Sequence, residues 1–203
     1  MAAKKTRELI IDTAVGLFNE CGVTAVTTNH IAAGCSLSPG NLYYHYRNKE
    51  QIIREIFIQI TEEYHSILDN DMNHIIGLFE MGTQILYRYR FFYRELATLI
   101  TADTELKKLY RDNQIQKYSI IEKLILNMTK EGLLNEELVT KGLKSLIESS
   151  WMHTDFWIPY LSISGEDITT ETIFRGIRGY FDLVMPFFTD KGRKQIKEFF
   201  EKG

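Results

Sequence analysis

Apolar residues recur at three- and four-residue spacing through nearly every long stretch of this chain, and almost nothing in it breaks a helix. Only three prolines occur in 203 residues: Pro39, Pro159 and Pro186. Proline removes a backbone donor and clashes with the preceding turn, so its scarcity leaves long helices intact. No run of strand length alternates apolar and polar residues between hairpin-type turns. There is no internal repeat and no low-complexity tract. The chain is therefore expected to be all-α.

The first helix is expected over about 4–21, with Ile10, Ala14, Leu17 and Phe18 on one stripe and Gly22 just past its end. Thr27 and Thr28 offer capping hydroxyls to a short helix carrying Ile31 and Ala32. A tight turn at Gly34-Cys35-Ser36 follows. Ser38 caps a second short helix, which has Pro39 in its first turn, where no N–H is needed, and carries Leu42 and Tyr43. Asn48, with Gln51 three residues on, opens a longer helix running to about 69. Further helices are expected at about 72–101, 104–130, 135–161 and 169–188, with a short tail from Asp190. Gly132 and the 162–165 stretch read as breaks, and the 88–94 region is a candidate for another.

Hydrophobic residues make up 44% and charged residues 25%, the balance of an ordinary soluble protein. No apolar run approaches the roughly 18 residues that span a bilayer, and the polar N-terminus has no signal-peptide apolar stretch, which points to the cytoplasm. Cys21 and Cys35 stand outside any CxxC pair or metal-ligand spacing. They read as packing residues in a reducing compartment, with a redox sensor as the sharper alternative. The net charge of −3 is uneven. Residues 1–54 hold six Lys/Arg against four acids, a net +2, which leaves −5 on the rest. A mildly basic head on an acidic body suits a protein that sets only its head on nucleic acid.

Helix, tight turn and helix within residues 28–45 have the lengths of a DNA-reading unit, held together by Ile31, Ala32, Leu37 and Leu42. Its second helix is then the recognition helix, showing Ser38, Asn41, Tyr44 and His45 to the major groove. Gly40 lets the backbone approach closely, and Lys49, in the first turn of the next helix, is placed to hold a phosphate together with the helix N–H groups. Tyr43 reads equally as core, and His45 also as a solvated surface residue.

The run Ile31-Ala32, then Leu37-Ser38-Pro39-Gly40-Asn41-Leu42-Tyr43-Tyr44-His45-Tyr46, then Lys49-Glu50, resembles the signature of the TetR family of transcriptional regulators. Upstream, Ala14, Phe18, Gly22, Thr27 and Thr28 match too, so the resemblance covers roughly residues 6–56. It implies a three-helix DNA-binding head over 1–50, with the motif at about 28–47, and a helical ligand-binding and dimerisation body over 51–203. Thr28 and Asn29 are implied to touch phosphate or a base, Pro39, Gly40 and Asn41 to lie against base edges, Tyr43, Tyr44 and His45 to grip the backbone, and Lys49 to anchor a phosphate. Two positions depart from the pattern. Asn29 stands where a basic residue is frequent, which favours adenine over guanine, and Ser36 stands where the turn normally has glycine, forcing an awkward backbone conformation on a residue with a Cβ.

In the body, five aromatics interleave with three arginines from Tyr87 to Arg94. This reads as a buried helix lining a core or cavity rather than a nucleic-acid surface. Tyr89, Phe92, Tyr93, Tyr118, Trp151 and Trp157 are the candidate cavity residues, suited to a hydrophobic or aromatic small molecule. The 135–161 helix has two apolar stripes, one of them Trp151, Met152, Phe156 and Tyr160. The next helix carries Ile173, Gly176, Ile177, Tyr180, Phe181 and Val184, with a second glycine at 179. Interior glycines suggest close approach of another helix, and these six residues are the candidate face of a four-helix homodimer contact. The alternative is that both helices are simply intramolecular core.

No phosphate loop, HExxH, GxSxG or paired cysteines mark an enzyme, and no cofactor or metal is called for. Glu62, Glu63 and His65 share a helix but read as a solvated face. The leading expectation is a repressor that binds a palindromic operator in double-stranded DNA as a homodimer and is released by a small molecule. The other is a helical small-molecule binding protein whose head does not read DNA.

Overall fold

The structure is a computed structural model that describes residues 2–71 and 75–202. In chain order its helices are α1 (Ala2–Cys21), α2 (Thr28–Gly34), α3 (Pro39–His45), α4 (Lys49–Asp71), α5 (Ile75–Arg88), α6 (Arg90–Arg94), α7 (Leu96–Ala102), α8 (Thr104–Lys130), α9 (Glu136–Ile163), α10 (Thr170–Val184) and α11 (Asp190–Lys202). A 3-10 turn at Met185–Phe187 links the last two, and a single bridge pairs Leu134 with Phe188. Among the described residues there is no named strand.

Side chains set most helix starts. Thr27 caps α2 in a reciprocal box with His30: its hydroxyl accepts from His30 N at 3.2 Å, and its own N–H donates to His30 Nδ1 at 3.3 Å. Ser38 caps α3, Asp103 caps α8, Asn135 caps α9 and Thr169 caps α10. Before α4, Asn48 accepts from Gln51 N at 2.9 Å, while Gln51 reaches one residue further back to accept from Arg47 N at 2.7 Å.

The helix expected over 72–101 is instead three helices, broken at Tyr89 and Glu95. Its expected start at Met72 lies outside the described residues. The first break is filled from α1. Asn19 donates to Arg88 O at 2.8 Å and accepts from Phe91 N at 3.0 Å, so backbone groups released by the first break have partners. At the second, the Glu95 carboxylate accepts from Val23 N at 3.0 Å. In return α6 lays Phe91 against Phe18, with ring centroids 5.0 Å apart.

Burial follows this arrangement. One core runs from the head into the near half of the body and contains Phe18, Ile31, Leu42, Ile56, Phe91 and Phe92. A second holds the far half, around Met128, Leu134, Leu146, Phe181 and Phe188. At the junction, Arg94 donates to Phe18 O at 3.2 Å, and Arg88 reaches Asp12 on α1 and Glu63 on α4, each at 3.3 Å.

Candidate nucleic-acid interface and inner cavity

The turn between α2 and α3 closes with two backbone bonds, Ser36 N to Ala33 O at 3.0 Å and Leu37 N to Ala32 O at 2.9 Å. This is the pattern that normally carries glycine at the left-handed position. Here that position is Ser36, with φ +56°. The ends of α8 and α9 use the same pattern with Gly132 and Gly165 in that place. Gly34 has a different reason to be glycine: a Cβ on it would lie 2.7 Å from Thr13 Cγ2 on α1.

Ile31, Ala32 and Leu42 are buried and Leu37 half-buried, so the opposite face of the motif is turned outward. That face presents Asn29, Ser38, Pro39, Gly40, Asn41, Tyr43 and Tyr44, all exposed, with Thr28 and His45 half-buried at its edge. Tyr44 is 82% exposed, more than a lone aromatic needs to be, and His45 meets its edge at 5.1 Å. Tyr43 is half exposed, and its hydroxyl lies 3.0 Å from the Thr28 hydroxyl, which takes it out of the core. Ser38 accepts from Asn41 N at 3.2 Å, leaving its O–H to donate outward. Nothing lies within 4 Å of a Cβ on Gly40, so no protein group crowds that point. Lys49 is turned elsewhere: its ammonium donates to Val23 O at 2.7 Å and Val26 O at 2.9 Å, which commits two of its three N–H groups to the turn after α1.

The body contains a cavity of about 260 Å³ walled by α4, α5, α8, α9 and α10. Of the six residues expected there, Trp151 and Trp157 line it. Tyr89, Phe92 and Tyr93 do not. They are buried in the core that joins head and body, where Phe92 stacks on Phe57 at 5.2 Å and Tyr89 donates to Glu63 at 2.6 Å. The reason is the double break that turns α6 across α1. Tyr118 lies exposed on α8, away from the cavity. His65 also lines the cavity, while Glu63 is held at the junction and Glu62 is exposed, so the three do not form one cluster.

Three features of the body and its junction with the head were not read from sequence. The first is the buried carboxylate of Asp155, 1% exposed, which accepts from Tyr110 at 2.5 Å and Trp151 at 2.9 Å and faces Lys117 at 3.4 Å. An acid inside the apolar stripe of α9 was its signal. The second is the row Tyr64, Asn113 and Lys117 at the same end of the cavity. The third is the junction set, Asp12, Asn19, Arg94 and Glu95, which carries no local signal.

The dimer-face residues need correction. Ile173, Gly176, Phe181 and Val184 are buried in their own chain, and Ile177 and Tyr180 are half-buried there. The close approach inferred from Gly176 is real, but its partner is Trp157 on α9: a Cβ would fall 2.3 Å from the indole nitrogen, which donates to Thr172 O at 2.9 Å. His153 completes this contact, its Nε2 2.6 Å from Gly176 O, and burial holds its imidazole below the usual histidine range. On one face α9 and α10 leave Met152, Phe156, Tyr160 and Leu183 exposed, and around the Cβ position of half-buried Gly179 there is open space.

Cys35 is buried, with its sulfur 3.7 Å from Leu9 O, and Cys21 is exposed; both are free. Among the described residues no group of three or more His, Cys, Asp or Glu is placed to hold a metal ion, and no helix is long and apolar enough to cross a membrane.

Two family profiles match the chain. One, described as bacterial regulatory proteins of the tetR family, matches residues 10–56, and the other, TetR, bacterial transcriptional repressor, matches residues 50–196. The chain is 37% identical over 60 residues to the HTH-type transcriptional regulator UidR of Escherichia coli, a stretch that spans 30% of this chain and only 31% of that protein. Its structure resembles the crystal structure of a TetR-family transcriptional regulator from Marinobacter aquaeolei, with TM-score 0.82 and 29% identity over 97% of both chains. It shares its fold with SmeT in a complex with triclosan, at TM-score 0.62 and 16% identity over 92% of this chain and 93% of that one.

Proposed function

The chain belongs to the TetR family of bacterial transcriptional regulators, and from that premise we propose that it is a repressor that binds a palindromic operator as a homodimer and leaves it when a small molecule fills the cavity. The head, residues 1–50, reads double-stranded DNA, and the body, residues 51–203, pairs two copies and holds the ligand. Such a protein acts on the chromosome in the cytoplasm and catalyses no reaction.

The observation that carries this reading is the outward face of the motif, where polar and small residues from Thr28 to His45 project while the apolar ones are covered. Asn41 offers the paired donor and acceptor that suit adenine, and Pro39 and Gly40 leave room against base edges. Asn29 is placed for a second adenine or a phosphate. Ser38, Tyr43, Tyr44, His45 and the remaining N–H of Lys49 donate to phosphates.

One such head reads only a few base pairs, so a partner head about 34 Å away is needed for a specific site. The exposed apolar row Met152, Phe156 and Tyr160, with Leu183 beside it, favours pairing along α9 and α10, because monomers rarely leave such patches uncovered.

Release follows from α4. Tyr64 and His65 line the cavity, and the neighbouring Glu63 holds Tyr89 and Arg88, which reaches Asp12 of α1. The ligand must bind the DNA-incompetent spacing of the heads more tightly, or nothing shifts.

The test is to select binding sites for the purified protein from a random DNA pool and titrate the selected sequence at several salt concentrations. Recovery of a palindrome, bound two chains per site with affinity falling steeply in salt, is the expected result. Failure to enrich any sequence with ligand-stripped protein would leave the small-molecule binding protein as the better reading.

A further inference from the structure

The cavity is long, and its chemistry changes from end to end. Along α8 its wall runs from Asn113 to Met128, roughly 22 Å at the helical rise. Along α9 it runs from Leu146 to Ile158, roughly 18 Å. A volume of about 260 Å³ drawn over such a length is a slot, which admits a flexible chain more readily than a fused-ring plate. The end at Met128, Leu134, Phe187 and Phe188 is wholly apolar. Polar groups midway are already engaged: Trp157 donates to Thr172 O, Tyr180 to Leu146 O and Thr154 to Ser150 O.

The other end is unfinished. Asn113 is 8% exposed, lines the cavity and has no side-chain hydrogen bond among the described residues. Nε2 of His65 is buried without a partner, and the buried hydroxyl of Tyr64 makes no hydrogen bond of good geometry, with only the Tyr93 side chain beside it. Native proteins rarely leave buried polar groups in that state, so their gathering at one end of one cavity points to a missing partner. Lys117 stands with them, one turn from Asn113 on α8, with its ammonium over the Tyr64 ring at 5.2 Å. Behind it Asp155 accepts from Tyr110 and Trp151 and pairs with Lys117 itself at 3.4 Å, which leaves the ammonium two N–H groups for the cavity. The groups facing the cavity here can all donate, and the one charged group among them shares its charge with an acceptor that two other donors already occupy.

Building on the ligand-release reading above, we infer that the releasing molecule is a straight-chain amphiphile with a carboxylate head, lying with its head against Asn113, Tyr64, His65 and Lys117 and its tail along α8 toward Phe188. The carboxylate accepts the unmatched donors as charge-assisted hydrogen bonds, and the tail displaces poorly held water from the apolar slot.

Both tryptophans of the chain, Trp151 and Trp157, line this cavity, so intrinsic fluorescence reports its occupancy without DNA. Ligand-stripped protein is titrated with straight-chain carboxylic acids of increasing length, below their micelle concentrations, and in parallel with 1-hexadecanol and with triclosan as an aromatic comparator. The expected result is saturable binding that tightens with chain length up to a limit, with hexadecanoic acid at least tenfold tighter than the alcohol. Asn113→Leu removes most of the acid's advantage over the alcohol, and Leu124→Phe, midway along the slot, shortens the preferred chain. The inference is overturned if the alcohol binds as tightly as the acid, or if triclosan saturates the signal and the acids do not. The operator complex is then challenged with the same acids. Acids that fill the cavity yet leave the complex intact would refute release while sparing the ligand class. An operator complex formed by protein that binds no acid would refute the ligand class alone.

Discussion

The hydroxyl of Thr28 on the first helix of the DNA-binding motif lies 3.0 Å from the hydroxyl of Tyr43 on the second. The bridge crosses the exposed face, so one group of the pair can still donate outward while both are fixed in position. Preordering of this kind lowers the entropy lost when a phosphate is gripped.

Tyr43→Phe tests that bridge. Exposed neutral hydrogen bonds contribute little to folding, so the melting temperature is expected to stay within a few degrees. Operator affinity is expected to fall about two- to tenfold. The salt dependence should keep its slope, because no charge is removed. A loss of stability larger than that of affinity would make the pair a packing contact instead.

Ser36 sits at φ +56°, a region that costs an L-residue with a Cβ roughly 1–2 kcal/mol. Ser36→Gly is expected to stabilise the protein by about 0.5–1 kcal/mol after the extra flexibility of glycine in the unfolded chain is counted. Urea unfolding checks this as a rise in midpoint at unchanged slope.

Two substitutions on α10 separate own-chain packing from dimerisation. Gly176→Ala drives a methyl into the Trp157 indole and should cost about 1–3 kcal/mol, with a change in tryptophan emission as the bond to Thr172 O is lost. Leu183 is 73% exposed, so Leu183→Glu should leave each chain folded by circular dichroism. In sedimentation the same variant is expected to run as a monomer and to lose operator binding. A dimer unaffected by Leu183→Glu would move the pairing surface away from this face.

His153 links stability to pH. Burial lowers its folded-state pKa below the unfolded value, so the unfolded chain takes up the proton first as pH falls. Stability from this group is complete above the ordinary histidine range and declines as pH drops through it toward the folded value. His153→Gln keeps a donor for Gly176 O and removes the titration. Denaturation midpoints measured between pH 8 and pH 5 should therefore fall less in the variant, and parallel profiles would assign the pH dependence elsewhere.

The head was legible because its rules are local. Caps at Thr27 and Ser38, the turn at Ser36 and the apolar pairs all lie within a few residues of what they control. The breaks around α6 were less legible, because the group that makes the first tolerable is the amide of Asn19, about seventy residues earlier. Periodicity marked the aromatic faces of α6 and α10 as buried but could not say what covers them. That is why Tyr89, Phe92 and Tyr93 belong to the junction rather than the cavity, and why Gly176 meets Trp157 rather than a second chain. The polar end of the cavity arises only when α4, α8 and α9 meet.

Lys49 holds the carbonyls of Val23 and Val26 from the first turn of α4, and the same unbroken helix reaches Tyr64 at the cavity. A straight helix resists bending, and the span between these residues is about 22 Å. In the release proposed above it serves as a lever, with movement at the cavity at one end and the reading unit at the other. The ammonium clasp ties α4 to the segment between α1 and α2, so the proposed ligand acts on where the recognition surface sits rather than on its shape. In the proposed dimer, a tilt mirrored in the partner is expected to put two intact surfaces out of step with the helical repeat of DNA.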